Sequence, residues 1–583
     1  MPEKETNISR LGGEKTRPGP AKGLPLAAHG CYTLPVLGTE LHRAAGAWGD
    51  APSDRLFRRS GPGIRVRIAA AEVRTVSNFP FPPASGEQPP YAQDEPRRVL
   101  DPTRHRRAPI LEALAAHSAR TRAAFHIPGH KGGRGMDPEF RRILGDQALA
   151  FDLINIAPLD DLHAPTGAIR EAEALAAELY AAEDAFFSVQ GTTTAIEAML
   201  LAALRPGEKV LLPRNVHKSV LSGLILSGAI PVFLAPEADP VLGILHGLTP
   251  EVVARALDEH PDARALLLVH PTYYGTGSPL ETIVSLAHSR GIPVLVDAAH
   301  GAHLPFHPDL PVFPTFAGAD LVAVSMHKLG GALTQASLLL RQGSFVPRER
   351  VRASMNLLQT TSSSYLLLAS LDAARRFLAL EGRRRVGRAV RLALRAREEA
   401  ERLGGLYIPG PFRPELGFSF DPTKFLVHVA DLGLSGAEVE RILRERFAIE
   451  VELSDPFNVL FVISVGDTER SIALLLQALK YLVREEKRDV PKVMPFLLPP
   501  EAPLVISPRE AYFAEGELVP LEEAEGRISG EAVVTYPPGI PLVLPGERWT
   551  SQLLAYLEFA RSRGVEVRGT SHPKAHVVRV VVE

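Results

Sequence analysis

At 583 residues the chain is longer than one hydrophobic core usually supports, so two or three domains are expected. A composition of 45% hydrophobic and 23% charged residues with a formal net charge of -2 is that of a soluble globular protein, and its arginines are spread without the basic stripe that nucleic-acid binding needs. No apolar run reaches the roughly 18 to 20 residues of a membrane span, and the single cysteine, Cys31, excludes an internal disulfide framework. A cytoplasmic protein is expected, with no nucleic-acid or membrane partner and no metal.

Residues 1–107 are rich in Pro, Gly and Arg, with turn pairs such as Gly61-Pro62 and Pro89-Pro90, and only short patches such as Ile64 to Val73 have the pattern of structure. Such a composition cannot bury enough surface to offset chain entropy, so the segment is expected to be mostly disordered. Four regions follow from the texture of the chain: 1–107, a major domain at 108–380, a small α+β domain at 381–490, and a C-terminal module at 491–583 beyond a proline-rich hinge. The major domain opens with a helix, Ile110 to Ala123, and a glycine-rich loop, Phe125 to Gly133. Asp160 and Asp161 precede a helix, Ile169 to Ala182, where capping or a turn is their expected role.

Strands and helices then alternate. A short apolar strand, Ala185 to Val189, leads to Gly191-Thr192-Thr193 and a helix, Ala195 to Leu204. A Gly-Thr-Thr turn that opens a helix offers amides, hydroxyls and the positive helix end to a phosphate, although a plain threonine cap reads as well. Strand Lys209 to Leu212 delivers His217, which can lie over a flat heteroaromatic ring or simply cap the next helix. Strand Ile292 to Val296 delivers Asp297, a carboxylate at the carboxyl end of a Val, Ile and Leu strand, where open α/β sheets put their ligands.

The stretch 320–341 completes the series. An apolar strand, Leu321 to Val324, breaks at Ser325 and presents His327 and Lys328 before a second apolar run, Ala336 to Leu340. A lysine at the end of a buried strand is paired or reactive, and desolvation makes its amine a nucleophile toward a carbonyl. A phosphate turn, a stacking histidine, an acid and a lysine, each at a strand exit, together point to pyridoxal 5'-phosphate, with Lys328 as its Schiff-base lysine and Asp297 beside the pyridine nitrogen. Two other lysines follow a histidine directly, Lys131 and Lys218, but the first lacks a strand to hold it and the second lies just inside a helix.

From about Pro109 onward the chain resembles the ornithine/lysine/arginine decarboxylase family of fold-type-I pyridoxal-phosphate enzymes, in its short bacterial form without a wing domain. The resemblance is carried by FHIPGHKGG, LDDLHAPTG, GTTTA, RNVHKS, HPTYYG, DAAHGAH, SMHKLGGALTQAS, TSSSYLLLASLD and YPPGIPLVLPGE. It implies an α/β major domain with a mostly parallel sheet, smaller α+β C-terminal domains, and a homodimer or higher oligomer whose active sites lie between subunits. It also implies decarboxylation of arginine, lysine or ornithine to the corresponding amine and CO2. Lys328, Asp297 and His217 are the implied catalytic residues, and Gly191, Thr192, Thr193, His300, Ser325 and His327 join them in holding the cofactor. Ala298 stands where the family commonly has Glu.

In the C-terminal part, a long helical region, Leu366 to Leu403, is expected to lead into the small domain, with strands Ile449 to Leu453 and Leu460 to Val465 among its elements. Farther on, Glu531 and Tyr536 beside Pro537-Pro538-Gly539 are substrate candidates, since an acid and an aromatic at a rigid turn can position a cationic side chain; a surface turn with a solvated Glu reads equally well. An aminotransferase or lyase would share the cofactor residues but would use an arginine to clamp the substrate carboxylate, for which Arg509 and Arg527 are candidates. A catalytically dead homologue acting through mixed dimers is the reading from another class, and retention of Lys328, Asp297 and His217 argues against it.

Overall fold

The computed structural model describes residues 100–157, 159–489, 500–536, 540–562, 565–569 and 571–583, with the side chains of Tyr536 and Ile540 excepted. Most of the 1–107 segment expected to be disordered, and the patch Ile64 to Val73, lie outside these residues. The end of that segment is ordered, which moves the start of the domain upstream. Asp101 accepts from the Thr103 amide to start a short helix, α1 (Pro102–His105). The buried Arg375 guanidinium then ties the chain down through the carbonyls of His105 and Arg107.

The major domain is built on seven strands: β1 (Asp184–Ser188), β2 (Lys209–Pro213), β3 (Ile230–Leu234), β4 (Ala263–Val269), β5 (Val294–Asp297), β6 (Leu321–Ser325) and β7 (Ser337–Arg341). They lie in the order β1-β7-β6-β5-β4-β2-β3. Every pair from β6 through β3 is parallel, and β7 alone runs antiparallel to both its neighbours. Parallel strands need helices on both faces, which is why these segments read as unbroken apolar runs. Along β6, Leu321 and Ala323 enter the core on one face while Val322 and Val324 enter the core on the other.

Helix α2 (Pro109–Arg120) and α3 (Ala168–Leu179) cover one face, and α4 (Gly191–Ala203) and α5 (Lys218–Ser227) cover the other. Asp160 serves as the anchor for the start of α3, accepting backbone amides from Thr166, Gly167 and Ile169 at 2.9, 2.8 and 2.9 Å. Helix α4 begins at Gly191, four residues before the expected Ala195, so the threonines form its first turn.

Across residue 381 runs α6 (Tyr365–Arg402), one continuous helix of 38 residues. The change of core falls later, between Val390, which packs in the major domain, and Leu392, which packs in the next one. That smaller core is formed by a three-stranded antiparallel sheet, β8 (Lys424–His428), β10 (Asn458–Val462) and β9 (Leu453–Ser454), with helices α7 (Gly436–Phe447) and α8 (Glu469–Tyr481). Only Leu453–Ser454 of the expected strand from Ile449 is extended in a ladder. The preceding residues instead close α7, with Ala448 left-handed and the Ile449 amide bonded to the Leu443 carbonyl.

The C-terminal module has its own core around Trp549, Leu553, Val578 and Val580. It is joined to the β2 exit by an ion pair of Arg214 with Glu547 at 2.5 Å, whose carboxylate is fully buried. No described helix is long and apolar enough to cross a membrane.

Candidate active site

The carboxyl ends of the parallel strands converge on a cavity of about 420 Å³, lined among others by Thr192, His217, Asp297, His300, Ser325 and Lys328. That is the size range of small-molecule and cofactor pockets. Gly191, Thr193 and His327 also line it, so all nine expected cofactor residues share one cavity. Lys131 and Lys218 are not among the lining residues, and the Lys131 ammonium is engaged by the His126 carbonyl.

At one end the Thr192 hydroxyl contacts the Ser325 hydroxyl and lies 2.8 Å from that of Ser337, a cluster drawn from α4, β6 and β7. Hydroxyls at the start of a 13-residue helix whose N-cap, Gln190, provides no side-chain cap suit a phosphate dianion. Gly191 contributes shape rather than a donor. Its φ of +80 is one that L residues rarely adopt, and its amide is spent on the Gln335 carbonyl at 2.8 Å. His327 turns Nδ1 to the Ala336 carbonyl at 3.2 Å, and burial lowers its pKa.

In the middle, Asp297 ends β5 with 4% exposure and accepts the Ala299 amide at 3.0 Å. A buried carboxylate at this point suits a protonated ring nitrogen, because it needs a cationic or donor partner. His217 caps α5: its Nδ1 accepts the Ser219 amide at 3.2 Å, which fixes the hydrogen on Nε2 and leaves the ring to the cavity. Both roles considered for this histidine, cap and ring wall, are thus compatible. Crowding by protein lowers its pKa, with Asp297 raising it and Lys328 lowering it again, so the imidazole is a flat neutral surface at pH 7.

Lys328 sits on a single helical turn, Met326–Leu329, directly after β6. Desolvation lowers its pKa, against the upward pull of Asp297 and Glu452. Its Nζ lies 2.9 Å from His300 Nε2, and the opposite nitrogen of that ring lies 2.8 Å from Nζ of Lys424. The Tyr273 ring packs on His300 with centroids 4.4 Å apart, and its hydroxyl donates to Glu452 at 2.5 Å. Lys424, Tyr273 and Glu452 were missed by sequence reasoning. Lys424 did carry a signal, because it opens the apolar strand KFLVH much as Lys328 follows LVAVS.

Of the two substrate candidates of the C-terminal module, Glu531 is not among the described lining residues. Glu531 is buried with its carboxylate accepting the amides of Ser571 and Arg579 at 2.5 and 2.6 Å. Tyr536 ends a strand, Val533–Tyr536, and its side chain lies outside the described residues. No arginine lines the cavity among the described residues. Arg509 donates to the carbonyls of Ile225 and Leu226, and Arg527 to Glu517 and the Val581 carbonyl.

A lysine, an acid and an uncapped helix start with clustered hydroxyls at the carboxyl edge of a mostly parallel sheet are the residue types that pyridoxal-phosphate chemistry uses. The chain belongs to the Orn/Lys/Arg decarboxylase family: the model of the major domain matches residues 108–471 and that of the C-terminal domain residues 499–572. It is 48% identical over 487 residues to an arginine decarboxylase of Halalkalibacterium halodurans, covering 82% of this chain and 99% of that one. With an arginine decarboxylase of Bacillus subtilis the identity is 47% over 479 residues, 82% and 98% of the two chains. Among solved structures, the constitutive lysine decarboxylase of E. coli superposes with a TM-score of 0.70 at 24% identity, over 82% of each chain. The protein is an enzyme of this family, a decarboxylase of basic amino acids.

Proposed function

We propose that this enzyme decarboxylates arginine to agmatine and CO2 with pyridoxal phosphate held on Lys328. The observation that carries the cofactor assignment is the convergence of Lys328, Asp297, His217 and the Thr192, Ser325 and Ser337 hydroxyls on a single cavity. The preference for arginine rests on the relatives at 47 to 48% identity, which are arginine decarboxylases, against 26% for the constitutive lysine decarboxylase of E. coli.

Bound there, the cofactor supplies an electron sink for the pair released from the bond between Cα and the carboxylate. The chain does the rest. The hydroxyl cluster and the start of α4 hold the phosphate end, and the flat face of His217 fixes the tilt of the ring. Asp297 keeps a proton on the ring nitrogen, since that proton relieves its own buried charge. Lys328, whose pKa burial lowers, would supply the neutral amine that binds the cofactor, and in its protonated form it would be the proton donor toward the substrate Cα. An aminotransferase benefits from an arginine that retains the carboxylate, and none lines this cavity among the described residues.

We also propose that the enzyme works as a homodimer, because Phe125 and Ile127, in the loop ahead of the major sheet, are 95% and 61% exposed and a second copy would cover such apolar surface. The deciding experiment incubates the purified enzyme and pyridoxal phosphate with arginine, lysine or ornithine separately and measures CO2. Release from arginine at the highest kcat/KM is expected, and K328A should lose it. Transamination without gas overturns the reaction, and faster release from lysine or ornithine overturns the substrate.

A further inference from the structure

The chain Lys328, His300, Lys424 places one imidazole between two lysine amines, at 2.9 and 2.8 Å. Lys424 has no exposed surface and His300 only 7%. Lys424 arrives from outside the major sheet as the first residue of β8, and Gly275 permits its approach. A Cβ on Gly275 would stand 3.0 Å from the Lys424 Cβ and 2.9 Å from the Asp421 carbonyl oxygen, on a backbone with φ +91.

Burial and the flanking lysines drive the His300 pKa well down, so the ring is neutral and has one N–H and one lone pair. Two ammonium groups need two acceptors, and this ring offers one. One of the two lysines is therefore a neutral amine that accepts from the ring, while the other donates to it. Burial lowers Lys424 to about 8, with Asp421 pulling it up, Lys328 down and Glu452 up.

The charged and titratable groups around the trio decide which lysine keeps the proton. On the Lys424 side stands Asp421, bonded to His303 at 2.9 Å, while Glu452, which takes the Tyr273 hydroxyl, pulls both lysines upward. On the Lys328 side stand Asp297, His217 and, on its own turn, His327. With Asp297 committed to the cofactor ring, Lys328 loses that counter-charge, whereas Asp421 remains beside Lys424.

We propose that Lys424 is a positioning residue that, through His300, holds the shared proton and keeps Lys328 as the neutral amine that attacks the cofactor's aldehyde. In the balanced step the Lys328 ammonium gives a proton to His300 Nε2 while the hydrogen on Nδ1 passes to the neutral Lys424 amine. The ring changes tautomer, and the net charge of the trio is unchanged. This rests on the assignment of pyridoxal phosphate to Lys328.

The test mixes cofactor-free enzyme with pyridoxal phosphate across a pH series and follows covalent attachment by absorbance, with borohydride trapping and peptide mass to locate it. K424M is expected to raise the pH midpoint of attachment by about one unit, roughly tenfold in rate below the midpoint, because a positive charge near Lys328 is gone. K424R should restore the midpoint. An unmoved midpoint in K424M, or identical midpoints in K424M and K424R, overturns the proposal; trapping at a residue other than Lys328 in the unaltered enzyme overturns the cofactor assignment instead. Should the variants not fold, competitive amine acylation of the unaltered cofactor-free enzyme decides. Lys328 should label with a midpoint at least one unit below that of the exposed Lys218, and equal midpoints overturn the proposal.

Discussion

Asp297 offers the sharpest test at the level of single side chains. D297N keeps the shape and the bond from the Ala299 amide but removes the charge proposed to hold a proton on the cofactor ring. CO2 release should fall about 100-fold or more, in the range seen when one preorganised electrostatic partner is lost, while attachment to Lys328 persists in the absorbance spectrum. Lys328, Asp297, His217 and Thr192 were legible in the sequence because each follows an apolar strand, and the carboxyl edge of a parallel sheet brings such positions together whatever their distance along the chain. Lys424 carried the same signal but belongs to a different sheet, so only the packing of β8 against the site reveals it. Glu531 differs: an acid near a Pro-Pro-Gly sequence pointed to a ligand, and what local sequence could not show is that its carboxylate accepts the backbone amides of Ser571 and Arg579.

Among the elements, α3 depends on one carboxylate. D160A orphans the amides of Thr166, Gly167 and Ile169 and should cost about 2 to 4 kcal/mol, read from chemical denaturation at pH 7. Burial alone would raise the Asp160 pKa, but the amides outweigh it and hold the group below the usual carboxylate range. A depressed folded pKa contributes stability that is complete at neutral pH and is lost as the pH falls through that value, so the gap between the unaltered protein and D160A should narrow in acid. The attachment of the C-terminal module is a second case. Removing Glu547 leaves the Arg214 guanidinium facing a buried hole, and E547A should destabilise by about 3 to 5 kcal/mol in the same assay. Element types were readable from apolar periodicity, whereas limits were not. The start of α4 moved to Gly191, and the expected strand from Ile449 shrank to Leu453–Ser454, because tertiary partners and a left-handed Ala448 set those ends.

For the molecule as a whole, the exposed Phe125 and Ile127 lead to an expected solution mass of twice the chain, measured by light scattering. F125D should shift that mass toward one chain; a single-chain mass for the unaltered enzyme would remove the homodimer from the account. The point at which α6 passes from one core to the next was not legible in the sequence, because its local pattern is the same on both sides. Those 38 residues form a rod of roughly 57 Å at 1.5 Å per residue. A hinge needs a break in the backbone ladder, and this rod has none between Val390 and Leu392. Tyr365 near one end and Ala400 near the other are seated in separate interiors, so twisting either interior loads the whole rod. Heat should therefore melt both interiors together in one calorimetric peak, and the amine carried by β8 stays in register with the catalytic sheet for as long as the rod holds.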